Sequence, residues 1–321
     1  LLLPNCLLLA GCADVPFGVP KARPGFPIVT SGYFVTPDGA HLPYRLYPAQ
    51  GPLRAVVLAL HGYTDSRDAW EIPAASLTPQ GVAIYAPDIS SFGATANRGH
   101  WPGTQTLVDE ARDEVLLLRA QYPHTKLFLM GESMGGAITL LVGASSNPPP
   151  VDGYILAAPA VWGGSEMNPL YRLSAHAVAW ADPGRRMYSR HVHVQASDNI
   201  PALIAFGRDP LTIHAPRADN LAGLIDLMGA AQAACARFNQ HALVLYGGHD
   251  QLVPKAAMRA CWRAIPPSTP VTLAYYPPDY HMLPRDLERA VPNADILAFI
   301  LGQGLPSSAP SGATVFLAGG E

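Results

Sequence analysis

Apolar residues in this chain fall into short runs separated by stretches of helical spacing. Residues 53–60, 82–85, 126–130, 154–157, 242–246 and 271–276 are runs of four to eight residues, rich in Val, Leu, Ile and Tyr. Runs of that length, bounded by Gly, Pro and Asp, predict strands buried on both faces. Between the second and third of them, Leu107, Ala111, Val115 and Leu118 recur at helical spacing, with Asp109, Glu110, Arg112 and Asp113 on the other faces. A second helical stretch covers residues 136–146. Strands alternating with helices imply a parallel sheet joined by crossover connections. Ahead of it, residues 32–36 and 42–47 flank Pro37-Asp38-Gly39 and predict an opening hairpin.

One interval breaks this rhythm. Between Ala160 and His241 no strand is expected; Gly and Pro separate short helical pieces that carry Trp162, Met167, Leu170, Leu173, Val178, Trp180 and Met187. An inserted helical cap at about 162–236 accounts for them, and in an enzyme such a cap shapes the substrate pocket. Residues 13–27 contain Pro16, Pro20, Pro24 and Pro27 and read as a tether. Residues 302–321, rich in Gly, Ser, Ala and Pro, read as a flexible tail. The main domain is then expected over 28–301.

At 321 residues the chain is long enough for one large α/β domain with an insertion. It is 49% apolar and 14% charged, which excludes wholesale disorder. A net charge of −3 without a basic cluster argues against a nucleic-acid partner.

The chemistry concentrates in Gly131-Glu132-Ser133-Met134-Gly135. This G-x-S-x-G follows a predicted strand and opens a predicted helix, the setting of a nucleophile elbow. A serine hydroxyl needs a base to take its proton, and the base needs a partner to fix its tautomer. Both should follow the serine in chain order, each at the carboxyl end of a strand. Asp250, after the run 242–246 and the turn Gly247-Gly248-His249, fits the acid. His281, after the run 271–276 and the loop Pro277-Pro278-Asp279-Tyr280, fits the base.

Other residues fit less well. His249 shares the turn of the acid, Asp209 and Asp226 precede the strand that leads to Asp250, and Asp279 lies in the loop of His281. His191 and His193 fall inside the expected cap, where their i, i+2 spacing is a weak metal signal. No metal site is expected. Residues 53–60 end in His61-Gly62-Tyr63, the strand-end turn that supplies one oxyanion-hole N–H, from Tyr63; the other is the N–H of Met134.

Together, Gly131-Glu132-Ser133-Met134-Gly135-Gly136, His61-Gly62, residues 247–250 and His281 resemble the α/β-hydrolases of the monoacylglycerol lipase and lysophospholipase group. Asp209-Pro210-Leu211 is similar to a short signature near the end of that group's cap. The resemblance spans about 32–301. It implies an α/β-hydrolase fold: a mostly parallel eight-stranded sheet with an inserted helical cap. It also implies hydrolysis of carboxylic esters through an acyl-serine, without a cofactor. Two departures bear on substrate class. Asp88-Ile89-Ser90-Ser91-Phe92-Gly93-Ala94-Thr95 stands where the group has Asp-x-x-Gly-x-Gly-x-Ser, and its Glu-His pair after His-Gly is missing. The expected substrate is a single-chain lipid ester. The rivals are a peptidase or acyltransferase with the same triad, and a non-catalytic lipid-binding lipoprotein.

The amino end adds an address. Leu9-Ala10-Gly11-Cys12 closes a short apolar run and resembles a bacterial lipobox, in which Cys12 is lipidated. Residues 1–12, which carry neither a methionine nor a basic n-region, then read as a signal remnant whose start is expected upstream of Leu1. Two or three acyl chains, at about 0.8 kcal/mol per buried CH₂, would hold the protein on a membrane. Ala13 in place of an aspartate favours the outer membrane, on its periplasmic side. Cys235 and Cys261 remain, either bridged or as free thiols.

Overall fold

The computed structural model describes residues 30–37, 39–188 and 194–320. Cys12, the tether, His191 and His193 lie outside them. Six of the eight strands are parallel: β3 (Ala55–Leu60), β4 (Val82–Pro87), β5 (Lys126–Glu132), β6 (Gly153–Ala157), β7 (Ala242–Gly247) and β8 (Val271–Tyr276). The opening hairpin, β1 (Thr30–Val35) and β2 (His41–Tyr47), adds two antiparallel strands at the β4 edge. Strand order is β1-β2-β4-β3-β5-β6-β7-β8. Such a sheet with helices on both faces is the α/β-hydrolase arrangement.

Every residue of β3, β4, β6 and β7 is buried, which is why the apolar runs are continuous rather than alternating. On one face α1 (Glu71–Leu77), the turn before it and α8 (Ala290–Leu301) pack Trp70, Ala74, Leu77, Ile296 and Phe299 against the sheet. On the other, α2 (Thr104–Gln121), α3 (Met134–Gly143) and α7 (Lys255–Ala264) contribute Leu107, Val115, Ile138 and Met258. Leaving β4, the chain crosses β3 to form β5. The carboxyl ends of β3 and β5 therefore diverge at a topological switch point, the place where open α/β sheets bind ligands.

The segment expected as cap divides in two. Helices α4 (Pro169–Ala181) and α5 (Ile200–Arg208) contain no buried residue. Helix α6 (Ala218–Ala234), by contrast, sends Ile225, Leu227, Met228 and Ala231 into the main core and packs on α3. It belongs to the body, so the protruding part of the insertion ends before Ala218.

A second difference concerns residues 302–321, expected as a flexible tail. Residues Ala309–Leu317 form helix α9, and the buried Ala309, Ala313 and Phe316 fall on one of its faces. That face covers β8, with the Phe316 ring stacked on Tyr275 at 4.6 Å and Arg259 over it at 4.4 Å. Small residues leave little apolar surface per turn, so the composition read as linker while the spacing was helical. Cys235, at the end of α6, is bridged to Cys261 of α7 with Cα atoms 5.4 Å apart.

Phe316 is fully buried, so Phe316→Ala should destabilise the fold by about 3–4 kcal/mol, read by denaturant unfolding. A loss below about 0.5 kcal/mol would show that this helix does not dock.

Candidate active site

Ser133 sits between the end of β5 and the start of α3 with φ 55° and ψ −115°, dihedrals that a non-glycine residue adopts only under constraint. Its N–H donates to Ala157 O (3.0 Å), and its own carbonyl accepts from Ala137 N–H and Ala160 N–H (both 2.9 Å). The flanking glycines make the turn possible. A Cβ on Gly131 would strike the Gly135 carbonyl, and one on Gly135 would strike the carbonyls of Leu60 and His61. Helix α3 is thereby pressed against the end of β3.

Parallel pairing brings Asp250 and His281, the expected acid and base, to the same end of the sheet. Glu132 is level with Ala157, Ala157 with Leu245, and Gly247 with Tyr276. From the turn after β7, Asp250 accepts from Leu252 N–H (2.8 Å) and Val253 N–H (2.9 Å) on Oδ1. Its Oδ2 accepts from His281 Nδ1 at 2.7 Å. Both side chains are almost fully buried. With Nδ1–H given to the carboxylate, Nε2 carries the lone pair, and it has no partner among the described residues. It is not hydrogen-bonded to Ser133, a contact that in unliganded enzymes often forms only with substrate. Burial works to lower the imidazole's pKa, but the charge and hydrogen bond of Asp250, with Glu132 behind them, raise it above 6.5.

The turn after β3 is oriented by His61. Ile89 N–H donates to Nε2 of this buried ring at 3.0 Å, so Nδ1 carries the proton and donates to Gly62 O at 2.8 Å. Burial lowers the His61 pKa, which favours this neutral form. In a trans peptide the C=O and N–H point oppositely, so fixing the Gly62 carbonyl also fixes the direction of Tyr63 N–H. Neither Tyr63 N–H nor Met134 N–H donates a hydrogen bond to another described residue. A Cβ on Gly62 would lie 3.4 Å from Ser133 Cβ, so this turn packs directly on the elbow.

Beneath the elbow lies a charge cluster that sequence reasoning missed. Arg285 Nη1 donates to Asp65 Oδ2 (2.8 Å) and Nη2 donates to Glu132 Oε1 (2.5 Å), all three buried. Nothing in the residue types or spacing marked them. The Tyr63 phenol, whose buried oxygen has no hydrogen-bond partner among the described residues, belongs with Trp162, Met167 and Met228 to the apolar cluster that includes Met134.

The competing residues fall elsewhere. His249 is exposed and lies edge-on to Tyr280. Asp226 of α6 pairs with His176 of α4, and Asp209 accepts from Ser66 Oγ. Desolvation, with the charges of Asp286, Asp198 and Glu288, pushes the Asp279 carboxyl up to about 7. A cavity of about 400 Å³ between α1 and α5 reaches Asp65 and Arg285 but none of Ser133, Asp250 or His281. Among the described residues no group of three His, Cys, Asp or Glu is placed to hold a metal ion.

A family model described as Hydrolase_4 (Serine aminopeptidase, S33) matches residues 51–288, more than half of the chain. The chain belongs to this family. The chain is 25% identical over 271 residues to the monoacylglycerol lipase of Mycolicibacterium smegmatis, covering 84% of this chain and 95% of that one. It is 26% identical over 258 residues to the monoglyceride lipase of Rattus norvegicus, covering 79% and 84%. A soluble variant of the Saccharomyces cerevisiae monoglyceride lipase, solved with a substrate analogue, superposes with a TM-score of 0.71 at 19% identity, over 90% of this chain and 98% of that one. This last likeness is one of fold.

A base at Nε2 must be neutral, so kcat/KM should fall as pH drops, with an acid limb centred above pH 6.5. Asp250→Asn should move that limb to lower pH and reduce kcat about 10⁴-fold. An unchanged limb in this variant would remove His281 and Asp250 from the reaction.

Proposed function

We propose that this protein is a serine carboxylic-ester hydrolase acting on single-chain lipid esters. The observation that carries the reading is the buried His281–Asp250 hydrogen bond, which holds the proton of the neutral ring on Nδ1 and so makes Nε2 its basic nitrogen, at the strand ends where Ser133 stands on its strained turn. His281 Nε2 takes the Ser133 proton as Oγ attacks the acyl carbon. The carbonyl oxygen becomes an oxyanion between the N–H groups of Tyr63 and Met134, each worth about 3–4 kcal/mol of barrier. The imidazolium, steadied by Asp250, returns the proton to the leaving alcohol. Water, deprotonated by the same ring, then releases the acid from the acyl-serine.

Substrate class draws on two supports. Relatives covering most of the chain are named for monoacylglycerols or monoglycerides, and apolar cap residues share a cluster with the elbow. The family description also names a serine aminopeptidase, so an amide substrate is the competing reading. A nitrophenyl ester chain-length series compared with aminoacyl arylamides should favour the esters; preference for the amides would reverse the assignment. Ser133→Ala should lose at least about 10⁴-fold in turnover and all fluorophosphonate labelling while remaining folded. Failure of the native protein to label would instead support a lipid-binding lipoprotein.

We place the protein at the periplasmic side of the outer membrane, held by lipid on Cys12. The Cys235–Cys261 bridge fits an oxidising compartment. On α4, Leu170, Leu173, Ala177 and Trp180 form one stripe, with the first, second and fourth 72%, 65% and 89% exposed. This helix carries Arg172 and no carboxylate, and Arg185 and Arg186 follow it, a composition suited to an anionic lipid surface. Cys12→Ser should release the protein from membranes, measured by fractionation. Unchanged partitioning would reject lipidation.

A further inference from the structure

Arg285 lies four residues beyond His281, in a short 3-10 turn of the same loop. Its partners belong to the other two parts of the site: Asp65 is two residues past Tyr63, and Glu132 immediately precedes Ser133. One planar cation therefore touches the oxyanion turn, the nucleophile elbow and the base loop. The Arg285 carbonyl accepts from Asn199 Nδ2 at 2.7 Å, and Met282 N–H donates to Ala196 O at 3.0 Å, so the start of α5 braces this loop from outside.

Stability gives little reason for such a cluster. A buried ion pair contributes weakly compared with well-packed apolar residues of equal volume. Geometry gives a better one, because the guanidinium fork fixes the separation of two carboxylates in a way that an ammonium cannot. We propose that Arg285 is a positioning residue, setting the spacing of the Tyr63 turn, the Ser133 elbow and the His281 loop. This rests on the ester-hydrolase reading above. Among the described residues, the charged groups facing His281 are Asp250 from the turn after β7, Glu132 from β5, and Arg285 from its own loop. Beyond them lie Asp65, neutral His61 and, on the loop's far side, Asp286.

The test compares the full chain with Arg285→Met, Arg285→Lys, Glu132→Gln and a triple Arg285→Met/Glu132→Gln/Asp65→Asn variant, on a short-chain nitrophenyl ester. Arg285→Met should lower kcat about 100-fold with KM within about threefold, as expected for misplaced reacting groups. Arg285→Lys keeps the charge without the fork, and should restore the pH profile but not kcat. The triple variant leaves no unpaired buried charge, so thermal stability should recover while kcat stays low. It also keeps the question open to measurement if Arg285→Met fails to fold. Titration of the His281 ring by ¹⁵N NMR should move up in pH in Arg285→Met and down in Glu132→Gln. A folded triple variant with native kcat would overturn the proposal, and so would a His281 titration unmoved in both single variants. Should the native chain neither hydrolyse esters nor label, the hydrolase reading fails, and the NMR titration still decides whether this cluster acts on His281.

Discussion

Gly135 presses against the carbonyls of Leu60 and His61, and that main-chain contact sets everything else in the site. It brings the start of α3 onto the end of β3 at the point where the sheet changes direction. The N–H of Met134 and the turn carrying Tyr63 become neighbours as a result. A side chain at 131 or 135 would force the elbow away from β3. Ser133 could not then hold its positive φ, since the strain is sustained by the hydrogen bonds of its backbone to Ala157, Ala137 and Ala160.

Two histidines at this end of the sheet show how environment divides one residue type into two roles. His61 is buried between Gly62 O and Ile89 N–H, which suits a neutral ring that holds a peptide in place. His281 is buried as deeply, but Asp250 faces it directly and the Arg285 cluster has one carboxylate more than cations. That excess of negative charge favours an imidazolium. The two environments push the two rings in opposite directions, and in the proposed reaction that difference separates scaffold from base.

The insertion between β6 and β7 also divides by chemistry. Helix α6 has enough apolar faces to enter the core against α3, whereas α4 and α5 bury nothing completely and α4 turns a Leu-Leu-Trp stripe outward. The loop of His281 is stitched to the start of α5 through Met282, Arg285 and Asp286, the last accepting from Ser197 Oγ. These contacts tie the start of α5 to the His281 loop and, through Arg285, to the elbow.

Local pattern alone determined the strands and α2, together with the elbow motif and the placement of Asp250 and His281 past the ends of their strands. Each depends on a run or spacing of only a few neighbouring residues. The tail was legible in principle, since Ala309, Ala313 and Phe316 have helical spacing, yet its Gly, Ser and Pro content pointed the other way. The Cys235–Cys261 bridge, the ring of His61 across two loops and the Arg285–Asp65–Glu132 cluster were decided only by tertiary structure. Each joins residues far apart in the chain, and an isolated Arg or Glu in a loop looks the same in sequence whether it is solvated or buried. Pairing of buried charges is set by which strand ends become neighbours, and that is a property of the folded sheet.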